Sequence, residues 1–232
     1  MQIIFFNINH ARTDQKGIVD FLNEQKQSTS IFCLQEVPDT EGAMIDKILS
    51  DFIKIIVYKY VTGLGVYHLA TYIKSNIKVK DARILMQKYP LISPAIYSKI
   101  EDNNKSIHIL NFHGNFIPGD KLDSPERLKA SQEIVSLFDG LQGLKIVGGD
   151  FNLLPETKSL GILERTGYIN LIKEYGIEST RNEVSWKLYP NNKQYFADYV
   201  FVNKETKVES FKVPYSEISD HLPLILNFDE NS

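Results

Sequence analysis

The sequence predicts an α/β protein built as a four-layer sandwich, in which two packed mixed β-sheets are flanked by helices. Runs of β-branched and aromatic residues alternate with segments of helical period along all 232 residues. No repeat, low-complexity tract or linker separates these segments. We therefore expect one domain spanning residues 1–232, which is long enough to bury a sizeable core.

In the first half, apolar runs predict strands and a 3.6-residue period predicts helices. The predicted strands cover residues 2–8, 31–34, 52–58, 64–73, 77–86, 95–100 and 107–112, and the predicted helices cover residues 14–27 and 41–49. The first two strands turn polar where they end, at Asn7 and at Gln35-Glu36. Because Asn is disfavoured in strands, these positions need a reason beyond secondary structure.

In the second half, turn residues separate short elements. After a Gly/Pro/Asp-rich loop, Ser124-Pro125 reads as the cap and first turn of a helix that reaches residue 138. A strand at residues 144–147 stops at Gly148-Gly149-Asp150-Phe151-Asn152. Short helices are predicted at residues 157–164 and 170–175, and strands at 197–202, 207–213 and 222–228.

Composition limits the classes of function. A net charge of −3 and a pI near 6.0 exclude a surface that is basic all over, so nucleic acid or phospholipid would have to bind a local patch. Of the 26 basic residues only five are Arg, which leaves few guanidinium groups to hold phosphate. This scarcity favours chemistry assisted by a metal ion.

The single cysteine and the lack of long apolar segments predict the cellular compartment of the protein. The single cysteine, Cys33, lies in the apolar run Ile31-Phe32-Cys33-Leu34 and predicts a buried thiol in a reducing compartment, with the cytoplasm as the default. No stretch is long and apolar enough for a membrane helix, and no signal sequence is expected, so we expect no stable membrane insertion. No feature requires more than a monomer.

The segment Gly148-Gly149-Asp150-Phe151-Asn152 places a carboxylate and an amide two residues apart after a strand. The glycines allow a sharp turn, and Asp150 and Asn152 can then point the same way. A carboxylate can hold or activate water, and an amide can donate to a phosphoryl oxygen. A simple Asx-type turn after a strand explains the same residues equally well.

Ser219-Asp220-His221 places a carboxylate beside an imidazole just before a strand. Adjacent side chains diverge on an extended chain, so Asp220 and His221 should have different tasks. Another carboxylate must then support His221. Asp198 is the natural candidate, because a charge within an apolar strand is costly unless it is paired; a carboxylate satisfied by backbone groups is the alternative.

Glu36 closes an apolar strand, as expected of a ligand for a hard cation. Mg²⁺ commonly binds one or two protein carboxylates together with water and substrate phosphate, so Glu36 and one Asp would suffice. Alone, Glu36 could also be a solvated strand end, and Asn7 could cap a turn.

In order along the chain, these motifs resemble those of the endonuclease/exonuclease/phosphatase superfamily. Phe6-Asn7 resembles its first-strand Asn, Leu34-Gln35-Glu36 its metal-binding Glu, and Asn111-Phe112-His113 its phosphate-contacting His. Gly149-Asp150-Phe151-Asn152, Ala197-Asp198-Tyr199 and Ser219-Asp220-His221 match the later motifs. Each motif is short, but the ordered set spans nearly the whole chain and is specific.

The resemblance implies a deoxyribonuclease I-like fold and a hydrolase of phosphate esters. Glu36 would hold Mg²⁺, or Mn²⁺ as a substitute, with Asn7 and Asp220 beside it. Asp150 and Asn152 would position the attacking water and the phosphoryl group. His221, oriented by Asp198, would act as general base or stabilise transition-state charge, and His113 would contact phosphate oxygens or assist the leaving group.

Departures from the motifs of particular branches narrow the class of substrate only in part. Leu153-Leu154-Pro155 follows the Gly-Asp-Phe-Asn motif where inositol polyphosphate phosphatases carry Arg, and His113 stands where the exonuclease III type has Tyr. A nuclease-like phosphodiesterase acting on DNA or RNA is favoured. The alternatives are a sphingomyelinase-like phospholipid hydrolase, a small-molecule phosphatase, and a binding module of the same fold that has lost its chemistry.

Several other residues are given weaker interpretations. A basic stretch could follow a phosphate backbone, although a solvated face is the commoner explanation; it comprises Lys74, Lys78, Lys80, Arg83 and Lys88. Trp186 is as consistent with a core or rim position as with a place near the substrate. His10, His68 and His108 match no motif and are interpreted as structural or surface residues.

Overall fold

The computed structural model describes residues 1–61, 65–87, 94–102, 105–117 and 119–231. The strands are β1 (Gln2–Asn7), β2 (Ile31–Val37), β3 (Phe52–Val61), β4 (Gly65–Lys74), β5 (Lys78–Leu85), β6 (Ala95–Asp102), β7 (Lys105–His113), β8 (Leu144–Asp150), β9 (Ile169–Asn170), β10 (Asp198–Val202), β11 (Lys207–Lys212) and β12 (Leu224–Asp229). The helices are α1 (Gln15–Gln25), α2 (Asp39–Ile48), α3 (Pro125–Phe138), α4 (Lys158–Arg165), α5 (Leu171–Glu174) and α6 (Glu183–Leu188), and a 3₁₀ turn covers Asn9–Ala11.

The strands form two six-stranded mixed sheets, which confirms the predicted fold class. The first sheet has the order β11-β12-β1-β2-β4-β3, and the second has the order β5-β6-β7-β8-β10-β9. Each sheet has one parallel pair at its centre, β1 with β2 and β7 with β8, and the other pairs are antiparallel. The parallel pairs are joined through α1 and α3, the crossover helices that such pairs require.

The two sheets pack face to face through an apolar core. Residues of β1 and β2 such as Phe5 and Cys33 are fully buried in one cluster with Ile146 of β8 and Phe201 of β10. Burial raises the pKa of the Cys33 thiol well above its usual range. A polar pair lies within this core, because Gln35 Nε2 donates to Asn111 Oδ1 at 2.7 Å.

Helices cover the outer faces of the sheets. On the first sheet, Ile18 and Leu22 of α1 and Ile45 of α2 pack with Phe6 and Phe32. On the second sheet, the ring of Phe138 from α3 lies 6.2 Å from that of Tyr97 on β6. Burial of these apolar faces is the main favourable term that holds the layers together.

Most sequence-predicted elements match the observed ones to within a few residues. The predicted N-terminal cap of α3 is also present, because Ser124 Oγ accepts a hydrogen bond from Arg127 N at 3.2 Å. Residue Leu64, the predicted start of the fourth strand, lies outside the described residues. Helix α6 and the two-residue strand β9 were not predicted, since neither is long enough to show a period. No helix among the described residues is long and apolar enough to cross a membrane.

Gly148 sets how closely the sheets approach beside the site. A Cβ at this position would lie 2.7 Å from Cε1 of the Phe5 ring on the opposite sheet, whereas a Cβ on Gly42 in α2 would meet its nearest neighbour at 4.0 Å. We expect Gly148→Ala to lower the free energy of unfolding by about 1–3 kcal/mol through overpacking. Gly42→Ala, the matched control, should stabilise by about 0.5–1 kcal/mol. Thermal denaturation of both variants checks this, and equal midpoints would contradict the close packing.

Candidate active site

A cleft of about 520 Å³ opens where the two parallel strand pairs end. Its walls come from the ends of β2, β7 and β8, from the loops that follow β1, β7 and β8, and from α6 and the segments before α6, β10 and β12. Among the residues that line it are Glu36, His113, Asp150, Asn152, Asp220 and His221. The structure therefore brings these sequence-predicted residues together, with Asn7 and Asp198 bonded directly behind them.

Glu36 reaches the cleft because β2 is irregular at its end. The register between β2 and β4 shifts between Leu34 and Val37, and Glu36 has a φ of 53°. Side chains alternate between faces along a regular strand, and this bulge instead directs Glu36 into the cleft while Gln35 stays between the sheets. A left-handed backbone at a non-glycine residue is strained, and such strain is concentrated at functional sites.

Asn7 links the carboxylates of the two sheets. Its Nδ2 donates to Asp150 Oδ2 at 3.0 Å and to Glu36 Oε1 at 3.3 Å. Its Oδ1 accepts from the backbone N of Asn9 at 3.0 Å, which fixes the amide so that Nδ2 faces the carboxylates. Asn7 itself is fully buried.

Asp150 and Asn152 lie on a tight turn after β8. Asp150 Oδ1 accepts from the backbone N of Asn152 at 2.8 Å, so an Asx-type turn is present together with the cleft position. Asn152 has a φ of 52°, and its Nδ2 lies 3.4 Å from Gly114 O. The same loop passes so close that a Cβ on Gly114 would lie 2.1 Å from the carbonyl oxygen of Phe151.

Asp198, and not Asp220, lies against the ring of His221. Nδ1 of His221 is 2.9 Å from Asp198 Oδ2, and Nε2 is 3.7 Å from Asp150 Oδ2. Asp220 points elsewhere, with Oδ2 accepting from Arg181 Nη2 at 2.7 Å. A neutral His221 would therefore carry its proton on Nδ1 and present Nε2 towards the cleft.

His113 faces two carboxylates from the end of β7. Its Nε2 lies 3.6 Å from Glu36 Oε1 and 3.8 Å from Asp150 Oδ2. The structure thus places His113 beside the predicted metal ligand Glu36 and the predicted catalytic residue Asp150, from where it could also reach a phosphate oxygen.

Burial and like charges shift the ionisation of the site. Burial, followed by the charge of Asp150, raises the pKa of Glu36 to about 7. Burial also raises the pKa of Asp198 and lowers that of His221, with Arg181 adding to the shift of His221. The pKa of Asp220 is lowered, because the charges of His221 and Arg181 outweigh its burial.

These residues fit a hard divalent cation. Oxygen atoms of Glu36 and Asp150 lie within 4.8 Å of one another and of a nitrogen of His113, and carboxylate oxygens are the ligands that Mg²⁺ prefers. Burial, and after it the charge of Asp150, makes the ionised form of Glu36 costly and raises its pKa. Asp220 Oδ1 is buried without a partner among the described residues. A cation would relieve both costs.

Three residues at this site were missed by sequence reasoning. Arg181 bonds to Asp220 Oδ2 and to His221 Nε2. Lys121 is buried in the cleft wall, and the interpretation of His10 as merely structural needs correction, since its Nε2 lies 3.4 Å from Glu36 Oε2. The only available signal was the scarcity of Arg, and it does not single out one position.

The other weakly interpreted residues lie away from the cleft. Trp186 is half-buried, with Nε1 donating to Gln194 O at 3.0 Å, so it supports the cleft wall and does not line it. His68 packs against Tyr58 and His108 bonds to the hydroxyl of Tyr97, as expected of structural residues.

The part of the basic stretch that lies on β5 is paired within its own sheet, and Lys74, at the end of β4, donates to Gln27 O at 3.0 Å. Lys80 lies 2.5 Å from Glu101 and Arg83 lies 2.5 Å from Asp81, whereas Lys88 lies outside the described residues. This arrangement supports a solvated face.

Comparisons with known proteins agree with this geometry. The sequence matches the Endonuclease/Exonuclease/phosphatase family over residues 4–221. No functionally curated protein matches the sequence at a significant level.

Solved structures share the fold at low identity. An endonuclease/exonuclease/phosphatase from Bacteroides vulgatus has a TM-score of 0.77 at 17% identity, with 99% of this chain and 98% of that chain covered. A mannosyl-6-phosphatase from Bacteroides thetaiotaomicron has a TM-score of 0.73 at 16% identity, covering 99% of both chains. The human Nocturnin catalytic domain with a bound sulfate anion has a TM-score of 0.74 at 16% identity, covering 99% and 93%.

The raised pKa of Glu36 predicts that its charge destabilises the metal-free protein. The folded state binds the proton more tightly than the unfolded chain, so stability falls as pH rises from about 4.5 to 7 and then levels off. Glu36→Gln should escape this loss and raise the free energy of unfolding at pH 8 by about 1–3 kcal/mol in EDTA. At pH 4 the gain should vanish.

Thermal denaturation across pH measures the effect. Glu24→Gln, which removes an exposed carboxylate of α1, should leave the midpoint unchanged and serves as the control. With saturating Mg²⁺ the wild type should recover the difference, because an ion that binds only the folded state stabilises it. A Glu36→Gln variant that is less stable than wild type in EDTA at pH 8 would refute this reading of the site.

Proposed function

Since this chain belongs to the endonuclease/exonuclease/phosphatase family, whose members hydrolyse phosphate esters, we propose that it is a divalent-metal-dependent phosphoester hydrolase. We take residues 1–232 as a single catalytic domain. One observation carries the proposal. Polar side chains from six separate segments meet in one cleft, and no simple structural need accounts for burying so many carboxylates together.

We assign the metal to Glu36, with Asn7 and Asp220 beside it. The ion is Mg²⁺, with Mn²⁺ as a substitute, because the donors are oxygen atoms. When bound, it would polarise the phosphoryl oxygens and neutralise charge that develops on them. Asn7, fixed by Asn9, keeps the carboxylates of Glu36 and Asp150 at a set separation.

The remaining residues would orient water and phosphate. Asp150 and Asn152 hold the attacking water and a phosphoryl oxygen from the turn after β8. Asp150 can take the proton from that water. His221, whose tautomer is fixed by Asp198, can take it on Nε2 only where its contact with Arg181 Nη1 gives way to the water. His113 is placed to contact non-bridging oxygens or to help the leaving group depart.

A nuclease-like phosphodiesterase acting on DNA or RNA is the favoured function. The cleft wall supplies two aromatic side chains, Phe116 and Tyr189, with Arg12 and Lys121 in the same lining. Stacking on aromatic rings combined with cations near the backbone is how single-stranded nucleic acid is commonly held. This local lining replaces the β5 stretch as the support for a nucleic-acid partner.

A small phosphate ester is the second candidate. The likeness to a mannosyl-6-phosphatase and the size of the cleft, about 520 Å³, suit a substrate of sugar-phosphate dimensions. A phospholipid hydrolase without stable membrane insertion and a silent binding module are the remaining alternatives. Hydrolysis assays on a panel of substrates distinguish these candidate functions.

Activity should depend on the metal and on Glu36. We expect one member of a panel of single-stranded DNA, duplex DNA, RNA, sphingomyelin, inositol phosphates and mannose 6-phosphate to be hydrolysed with Mg²⁺ and not with EDTA. Glu36→Ala should lower kcat by about 10²–10⁴-fold. Glu24→Ala, on the exposed face of α1, is the matched control. Metal-loaded protein that turns over no phosphodiester or monoester would favour the binding module.

Asp198 and His221 should act as one unit. We expect Asp198→Asn to reduce kcat by about 10²–10⁴-fold, because an amide no longer fixes the imidazole tautomer. His221→Ala should lose a similar amount, and the double variant should lose little more, since both changes disable the same step. Steady-state kinetics of the four proteins measures the coupling. Fully multiplicative losses would show that Asp198 serves structure and not His221.

A further inference from the structure

Arg181 is fixed beside the site by backbone and side-chain contacts. Its backbone forms an isolated antiparallel bridge with His221. Its Nε and Nη2 lie 3.1 and 2.8 Å from the hydroxyl of Ser185 on α6. Asn182 caps that helix and donates to Ser219 O at 2.7 Å, which ties α6 to the loop before β12. The guanidinium is therefore held at one position in the cleft wall.

This guanidinium covers donor atoms that a second metal ion would need. Two side-chain clusters could hold an ion, Glu36 with His113 and Asp150, and Asp150 with Asp198 and His221. In the second cluster, Nδ1 of His221 is turned to Asp198, so only Nε2 is available to the cleft, and Nε2 is in contact with Arg181 Nη1.

Among the residues that the structure describes, no such permanent cation bonds to the Glu36 carboxylate of the first cluster. The recorded partners of the Glu36 carboxylate are the amide of Asn7 and the rings of His10 and His113. None of these groups carries a charge at all pH values, as a guanidinium does. The two clusters thus differ in kind: one is already occupied by a positive side chain, and the other is not.

Lys121 provides a second buried cation on the same side. Its side chain is buried in the cleft wall, within electrostatic range of Arg181, Asp150 and Asp220. Its loop is held to the Asp150 turn, because Lys121 O accepts from Leu154 N at 2.8 Å. The loop is also held to the segment after α6, because Gln194 Nε2 donates to Gly119 O at 3.0 Å.

The charges of the cleft limit how many divalent ions it can hold. Four carboxylates line it or lie directly behind it, and three cationic side chains, Arg12, Lys121 and Arg181, line the same cleft. When all are ionised, one negative charge remains, so a single Mg²⁺ already leaves an excess of positive charge, which a phosphate would offset. A second divalent ion would increase that excess, next to a guanidinium that already contacts one of its donor atoms.

We propose that Arg181 takes the place of a second metal ion, so that the cleft binds one divalent ion at Glu36 and holds phosphate oxygens with Arg181 and Lys121. This inference rests on the proposed phosphoester hydrolysis. Nε and Nη2 of the guanidinium donate to Ser185 and Asp220, and Nη1 contacts His221. One N–H of Nη1 is left to donate to a phosphate oxygen. The Arg181 guanidinium lies between Asp220 and His221. From there it would stabilise the negative charge of a phosphate held near Asp150.

The number of bound ions tests the proposal. Mn²⁺ is titrated into the EDTA-stripped full-length chain, and free Mn²⁺ is followed by electron paramagnetic resonance. We expect one ion per chain for wild type and two for Arg181→Met, because loss of the guanidinium frees His221 Nε2 in the second cluster. Arg181→Lys keeps the charge and should return the count to one. Arg83→Met, which removes an arginine paired with Asp81 on β5, should also bind one.

Two ions on wild type, or one ion on folded Arg181→Met, would overturn the proposal. If Arg181→Met does not fold, as judged by circular dichroism, Arg181→Gln replaces it and the wild-type count still decides. As a second measurement, inorganic phosphate should bind Mg²⁺-loaded Arg181→Lys roughly 10- to 100-fold more weakly than wild type, since lysine lacks the planar group that directs an Nη1 hydrogen into the cleft. Unchanged affinity would also overturn the proposal. None of these readouts needs turnover, so an inactive chain that binds one ion would reject only the proposed hydrolysis.

Discussion

The hydrogen bond from Asn7 to Asp150 is the contact on which the arrangement of the cleft depends. It joins the two sheets at the edge where both central parallel pairs end, so residues 143 positions apart meet at 3.0 Å. Gln35 of β2 and Asn111 of β7 form a second bridge between the sheets, through the other strand of each parallel pair. Because each of these side chains belongs to a rigid strand, the sheets determine where Glu36, His113 and Asp150 lie relative to one another.

Holding carboxylates together in this way works against stability. Glu36 and Asp150 are drawn from water towards each other, and Asp198 is buried behind His221. The fold offsets part of this cost with neutral donors such as Asn7 and with the guanidinium of Arg181. A bound ion would offset the remaining cost of burying these carboxylates. Many active sites are destabilised in the same way while their ligand is absent, because groups placed for binding are costly for folding.

The sequence allowed much of the fold and the membership of the cleft to be inferred, because the signals are local. Asn7, Glu36 and Asp150 each end an apolar strand, and strand ends can be read from composition alone. Arg181 could not be placed, since its position depends on a bridge to His221, 40 residues away, and on the unpredicted helix α6. The position of His10 depends on a left-handed turn, with a φ of 53°, which the neighbouring residues in the sequence do not predict.

The buried thiol of Cys33 has a practical use. Cys33 is fully enclosed between the sheets, and its raised pKa leaves almost no thiolate at neutral pH, so maleimide and iodoacetamide reagents should leave it unmodified in the folded chain. Since this is the only cysteine, one introduced at an exposed position such as Tyr215 could be labelled selectively without removing the native residue. Fluorescent or spin probes attached there would report on the loop before β12 in an otherwise unaltered protein.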